Sequence, residues 1–354
     1  MRCLLVAFVV CCSCAAEAAE KVTVATLNCE FLSTKFVHVK FGLKLDRKDW
    51  TDAQKAAWDA AGFREAQYVK ACKAVASAIK RIDADVIVLT EVARVPKTAG
   101  VFVTPNDLTV LHDELKTVYP HLAFADSTDT ATHQNVAVLS KRAFEPDSVR
   151  HTIPGREGYF GELDDPESEA EASVTKGLSV AVKMDGQPVR IYGVHLKSER
   201  GGHEADAQRI AQASIVRRNY LKELAAKTHV IVVGDLNDHR AQPTLRRIRG
   251  FDDHDEDLSQ TGGPTFFKQT SSETNAAFNA RIREHWTYEF AGRRNQIDHI
   301  LISQSVRKHC TQKNNHKKMQ IEFVDITETI AGTTHKASDH RAVKLTLEFL
   351  DSHQ

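Results

Sequence analysis

Two short runs carry the densest chemistry in the chain. Gly234-Asp235-Leu236-Asn237 sets a carboxylate and an amide two residues apart, directly after an apolar run that begins at His229. Ser338-Asp339-His340 joins a carboxylate to an imidazole. In extended backbone, residues i and i+2 point to the same side and neighbours to opposite sides. Asp235 could then handle a proton while Asn237 binds a phosphate oxygen. Asp339 and His340 would divide the work between metal and substrate. Asn28, Glu91 and His195 each end a further apolar run, and Asp298 begins one. Taken singly, an Asp or Asn at a strand end is an ordinary turn former. Taken together, these acids, amides and imidazoles, without a catalytic cysteine or a serine elbow, point to one chemistry. Oxygen ligands suit Mg²⁺, Mn²⁺ or Ca²⁺ rather than zinc. Imidazole and carboxylate together activate water and protonate a leaving group. A hard cation that shields phosphate charge, with water as nucleophile, is a means of hydrolysing phosphoesters.

The elements that must position these groups are legible as apolar runs. Strands are expected over 22–28, 85–91, 135–140, 178–184, 189–195, 229–234, 297–302 and 343–349, from β-branched runs and period-two alternation. Helices are expected over 64–80, 106–119 and 205–226, the last with Ile210, Ala213, Leu221 and Leu224 on its apolar side. If the polar groups share one edge, that edge holds both finishing and starting ends of strands. A purely parallel sheet offers only finishing ends. Antiparallel or mixed sheets follow, and Asp185-Gly186 between two strands is an independent hairpin signal. Residues 34–64 read as a polar, aromatic-dotted insertion without a clear period, and 145–171 as an acid-rich, solvated loop. With no repeat, low-complexity tract or linker, the chain reads as one α/β domain with surface insertions.

Composition bounds the partners. The 354 residues balance 47 Lys+Arg against 47 Asp+Glu, with 42% hydrophobic and 27% charged residues. This excludes a disordered chain and a highly basic nucleic-acid coat that binds by bulk counterion release. It leaves room for an enzyme of phosphodiesters, whose bound metal supplies positive charge locally. Arg2, the apolar run from Leu4 to Val10 and the small-x-small pattern Ala16-Glu17-Ala18 predict a signal peptide over 1–18, hence a secreted or periplasmic protein whose single catalytic domain is 19–354. Four of the seven cysteines fall in that leader, leaving Cys29, Cys72 and Cys310, which allow at most one bridge.

The ordered set Leu27-Asn28, Thr90-Glu91, Val194-His195-Leu196-Lys197-Ser198, Gly234-Asp235-Leu236-Asn237, Gln296-Ile297-Asp298-His299-Ile300 and Ser338-Asp339-His340 resembles the endonuclease/exonuclease/phosphatase (DNase I-like) superfamily, most of all its secreted bacterial-type nucleases. The resemblance implies a four-layer α/β sandwich: two mostly antiparallel sheets packed together, helices outside, the site at one edge. It implies Glu91 as the main ligand of a divalent metal, with Asn28 and Asp339 close to it. His340 would be general base or would bind the scissile phosphate, with Asp298 orienting and charging it. Asp235 would exchange a proton with the attacking water or the leaving oxygen, and Asn237 would hold a phosphate oxygen. His195 stands where DNase-like members use a second imidazole, and Lys197 would pair with phosphate. The implied substrate is nucleic acid, DNA or RNA. The alternatives are a sphingomyelinase-like phospholipase, a phosphomonoesterase and a non-catalytic binding protein on the same fold. No stable protein partner is implied. His-Leu-Lys-Ser replaces the Tyr-containing motif of abasic-site repair nucleases, which argues against that specificity. The basic stretch Arg307, Lys308, Lys313, Lys317 and Lys318, with His309 and His316 between, is a candidate track for a phosphate backbone. Neither an aromatic stacking platform nor an aromatic-rich hairpin for a bilayer stands out.

Overall fold

The computed structural model describes residues 20–98, 101–103, 107–162, 166–239, 242–250, 257–260, 274, 276, 283–310, 319–330 and 333–349. The expected leader lies outside these residues, as do Lys313, His316, Lys317 and Lys318. In chain order the main strands are β1 (Lys21–Leu32), β2 (Val86–Ala93), β3 (His121–Phe124), β4 (Gln134–Ser140), β5 (Gly177–Met184), β6 (Gln187–His195), β7 (His229–Asp235), β8 (Leu258–Gln260), β9 (Asp298–Ser303), β10 (Met319–Val324) and β11 (Ala342–Glu348). The helices are α1 (Asp52–Asp59), α2 (Phe63–Ile82), α3 (Asp107–Asp113), α4 (Gly202–Ala225), α5 (Pro243–Arg249) and α6 (Gln304–Cys310).

The strands form a six-stranded sheet, β10-β11-β1-β2-β4-β3, and a five-stranded sheet, β8-β9-β7-β6-β5. Both are mixed: β1 pairs parallel with β2 and β6 with β7, and the other pairings are antiparallel. The Asp185-Gly186 turn joins β5 to β6, with φ of 49° and 70° as a type I′ hairpin requires.

The sheets face one another across a layer rich in valine: Val22, Val24, Val86, Val88, Val136 and Val138 from the first, Val180, Val182, Ile191, Val233 and Ile300 from the second. The outer face of the first sheet packs Leu27, Ile87 and Leu89 on Cys72, Val75 and Ile79 of α2. The outer face of the second packs Tyr192, Val194 and Val232 on Ala213, Val216 and Tyr220 of α4. Strands covered on both faces read as continuous apolar runs rather than alternating ones. The expected four-layer α/β sandwich is therefore present.

The expectations differ from the structure in four places. The buried stripe of α4 runs Ala205, Arg209, Gln212, Ala213, Val216, Tyr220 and Glu223, while Ile210, Leu221 and Leu224 are half-buried. Residues 34–64 are folded: α1 carries a Thr51/Gln54 capping box, and Trp50, Trp58 and His38 pack edge to face into the core. Residues 157–160 and 169–172 of the acid-rich loop pair as a two-stranded ribbon. The helix expected over 106–119 ends at Asp113, though Leu108, Leu111 and Leu115 are all buried. Cys29, Cys72 and Cys310 are buried free thiols.

Candidate active site

The topology brings both kinds of strand end to one edge. Asn28 on β1 and Glu91 on β2 lie at the same end because those strands are parallel. His195 and Asp235 are register partners at the ends of β6 and β7, and Asp298 pairs with Asp235 at the start of antiparallel β9. His340 enters just before β11, which is antiparallel to β1.

Glu91 owes its position to a bulge. The β1–β2 register slips between Asn28 and Leu32, and the β2–β4 register slips between Thr90 and Val92. Glu91, Glu30 and Phe31 take positive φ of 56°, 48° and 50°. Such left-handed backbone on non-glycine residues is strained and re-aims a side chain that a regular strand would send elsewhere. Glu91 thus turns inward, where the Phe31 amide donates to its Oε2 at 2.9 Å.

Asn28 joins the two sheets. Its Nδ2 donates to Glu91 Oε1 at 3.2 Å and to Asp235 Oδ2 at 2.9 Å, and its Oδ1 accepts from the Glu30 amide at 2.8 Å. His195 Nε2 stands 3.9 Å from Glu91 and 4.0 Å from Asp235. On the other side His340 Nδ1 donates to Asp298 Oδ2 at 2.7 Å, which leaves Nε2 toward the site, 3.9 Å from Asp339. Thr287 Oγ1 accepts the Asp298 amide at 3.1 Å, and Ser338 Oγ accepts the His340 amide at 3.0 Å, so both members of the pair are fixed by hydroxyls on flanking loops.

Burial sets the charge states. Desolvation raises the Glu91 carboxyl above its ordinary range. Desolvation, reinforced by the neighbouring Asp298, pushes Asp235 up to about 7. Burial, with the nearby Lys176 and His340 charges, drives His195 well below the usual imidazole range, so it is neutral. Burial would lower His340 too, but the charge and hydrogen bond of Asp298, with Asp235 and Asp339 beyond, outweigh it and push it up to about 10.

The donor atoms fall into two overlapping groups, Glu91/His195/Asp235 and Asp235/Asp298/His340, each within 4.8 Å. Two carboxylates, Asp235 buried and Glu91 half-buried, draw on one Asn28 amide group and concentrate negative charge that a hard divalent cation relieves. Asp298 Oδ1 and His195 Nδ1 are buried with no hydrogen-bond partner. The residues present therefore fit such an ion, with Glu91 and Asp235 as its anionic donors and Asn28 beside them.

Three expected members stand apart from those groups. Asn237 is not in extended backbone: its φ is 50°, its amide N–H closes on Asp235 Oδ1 at 2.8 Å, and its Nδ2 donates to the Leu196 carbonyl at 3.1 Å. The same-side geometry assumed for it does not hold, because the strand ends at Asp235 and an Asx turn follows. Asp339 is half-buried beside His340, on the same side rather than the opposite one. Lys197 is half-buried, its amide bonded to Gln212 at 2.7 Å.

The structure adds residues that the strand-end pattern did not reveal. Lys176 is half-buried near the site, its Nζ donating to Gln134 at 3.2 Å and standing 3.7 Å from Asp129. Lys40, from the 34–64 insertion, donates to the Ala337 carbonyl at 2.7 Å and pairs with Glu30 at 3.4 Å, bracing the loop that carries Asp339 and His340. Tyr288 packs its ring on His340. Arg307, Lys308 and His309 lie on α6, which follows the far end of β9 from Asp298, away from the site.

A model of the Endonuclease/Exonuclease/phosphatase family matches residues 50–340, which include Glu91, His195, Asp235, Asn237, Asp298, Asp339 and His340. Among solved structures, truncated TDP2 from Caenorhabditis elegans aligns over 93% of this chain and 97% of its own, at 16% identity and a TM-score of 0.50. Sphingomyelinase C from Streptomyces griseocarneus aligns over 93% and 100%, at 18% identity and 0.49. An endonuclease/exonuclease/phosphatase from Beutenbergia cavernae DSM 12333 aligns over 93% and 72%, at 17% identity and 0.48. A search of curated proteins found no match. The structural likeness is one of fold; the sequence match carries the assignment: the chain belongs to the Endonuclease/Exonuclease/phosphatase family, whose fold implies a hydrolase of phosphoesters.

Proposed function

We propose that the protein is a secreted, Mg²⁺-dependent phosphodiesterase that cleaves nucleic acid with little sequence preference. The observation that carries this reading is the meeting of Glu91, Asn28 and Asp235 with the Asp298–His340 pair across the seam of the two sheets. A bound divalent cation, with Mn²⁺ and Ca²⁺ as alternatives, would neutralise a phosphate oxygen and stabilise the charge added in the transition state. The chain's own groups do the rest. Asp235, buried at the seam and held by the Asn28 amide, takes a proton from the attacking water or returns one to the leaving oxygen. His340, held cationic by Asp298, presents Nε2 to the scissile phosphate. Neutral His195 offers a hydrogen bond without added charge. Secretion rests on the leader pattern of residues 1–18.

A second reading, a sphingomyelinase-like phospholipase, is favoured by one observation: Phe290 stands exposed on a ribbon beside the site. The two separate in one assay of the purified protein on plasmid DNA, RNA, sphingomyelin and a phosphomonoester, each with Mg²⁺ and with EDTA. Metal-dependent nicking of plasmid is the expected result. Release of choline phosphate with intact nucleic acid would replace it with the lipid enzyme.

A further inference from the structure

A short ribbon, Tyr288–Phe290 paired with Arg293–Asn295, leaves the active site with an aromatic face. Tyr288 bridges to the His340 backbone, and the two ring centroids lie 4.7 Å apart. Phe290, two residues on, is 64% exposed. Its ring lies within 8° of parallel to that of Tyr288, with centroids 6.4 Å apart. So large an apolar side chain adds nothing to the core from there, and the run from His340 through Tyr288 to Phe290 leads straight out of the site.

The flanking charge is positive. The Arg200 guanidinium, on the loop after β6, lies near Tyr288 and opposes the rise that burial gives its hydroxyl pKa. Arg293 and Arg294 are exposed on the return strand, and Arg294 offsets Glu289 at 2.8 Å. At the foot, Trp286 lies near two guanidinium groups, Arg294 and Arg341, each 4.7 Å from its ring.

Resting on the nuclease reading above, we propose that Tyr288 and Phe290 form a two-ring stacking track for unpaired bases next to the scissile phosphate, with Arg293 and Arg200 facing the strand's backbone. The 6.4 Å between ring centroids is nearly twice the ~3.4 Å rise per nucleotide in a duplex. Successive bases reach both rings only once the strand is drawn out of its stack, so the occupant is a single strand. Aromatic faces accept any base, which accords with low sequence preference. A hydrocarbon surface fits less well, because Glu289, Arg293 and Arg294 rim the same ribbon and would have to be desolvated.

The test is binding of fluorescein-labelled oligo(dT) to the protein in EDTA, read by anisotropy without turnover. F290A and F290L raise Kd by about 5- to 30-fold, whereas F290W stays within about twofold of wild type. F290L keeps apolar bulk and discards only the planar ring, so an unchanged Kd in F290L overturns the track. Absence of oligo(dT) binding by the wild type overturns it as well. Co-sedimentation with sphingomyelin vesicles is run in parallel: loss of vesicle binding in F290A with an unchanged oligo(dT) Kd would make the ribbon a membrane contact instead. Plasmid nicking by the wild type separates the two levels. A protein that nicks plasmid but shows no effect of F290L loses the track alone; one that nicks no nucleic acid loses the nuclease reading too.

Discussion

Asp298 Oδ2 and His340 Nδ1 lie 2.7 Å apart although Asp298 opens a strand of one sheet and His340 leads into a strand of the other. The pair is buried, and its charge is what holds His340 cationic. Asp298→Asn keeps the shape and removes the charge. His340 should then titrate well below its present value of about 10, and kcat should fall by about 10²- to 10⁴-fold. An NMR titration of the His340 ring checks the first, and steady-state kinetics the second. A ring that still titrates near 10 in the variant would assign its charge to Asp235 and Asp339 instead.

Asp235 makes folding stability depend on pH in the same direction as His340, at lower pH. Its folded carboxyl titrates near 7 against an ordinary value of 3.8. Without metal, the folded state holds a proton that the unfolded state has released, so stability falls as pH rises from about 4 to about 7 and stays low above. Asp235→Asn should therefore stabilise the fold in EDTA at pH 8 by about 1–3 kcal/mol, seen as a raised melting temperature, while abolishing turnover. Calorimetry at pH 5 and pH 8 gives the sign directly: the gain should shrink at the lower pH.

Glu91 makes the metal dependence testable on its own. If Glu91 and Asp235 hold the cation, saturating Mg²⁺ stabilises the wild type by mass action, and Glu91→Gln should lose that increment together with about 10²-fold or more of activity. Thermal scans across a Mg²⁺ series measure it. An undiminished Mg²⁺ response in Glu91→Gln would place the ion elsewhere.

His38 is a buried imidazole between Trp50 and Trp58, at ring distances of 4.7 and 5.7 Å, and burial lowers its pKa below 6.5. The unfolded segment takes up a proton first on acidification. The contribution is thus fully present above pH 6.5 and is lost as pH falls toward the folded value. Two of the three tryptophans in the chain report on it. Their emission should shift red in acid, and His38→Phe should move that shift to lower pH.

Gly234 precedes Asp235 with a φ of 140°, and a Cβ there would sit 2.0 Å from the Val194 carbonyl oxygen on the neighbouring strand. Backbone cannot yield as a flexible side chain does. Gly234→Ala should cost about 3 kcal/mol or more and give little soluble protein, as measured by denaturant unfolding.

The strand ends were legible in the sequence because burial on both faces turns a strand into an apolar run, and a polar residue closing such a run stands out. Asn28, Glu91, His195 and Asp235 were found that way. Phe290 and Tyr288 were missed because their strand is three residues long, too short for any period. Lys40 and Lys176 were missed because a lone lysine carries no signal until the partners that bury it are known. On α4, Arg209, Gln212 and Glu223 occupy the inner stripe through bonds to Lys197, Ser173 and Arg150, which hydrophobicity does not encode. Asn237 shows the converse: the spacing was read correctly and the backbone was not.

Asn28, whose single amide touches a carboxylate from each sheet, makes the molecule a caliper. The opening of its jaws is the thickness of the valine layer beneath, where Gly193 leaves just enough room for Val88 and Val136. Widening that filling by one methylene, far from any reacting atom, would spread the jaws and loosen their grip on the ion. The layer between the sheets thus sets the span that a single Asn28 side chain must bridge.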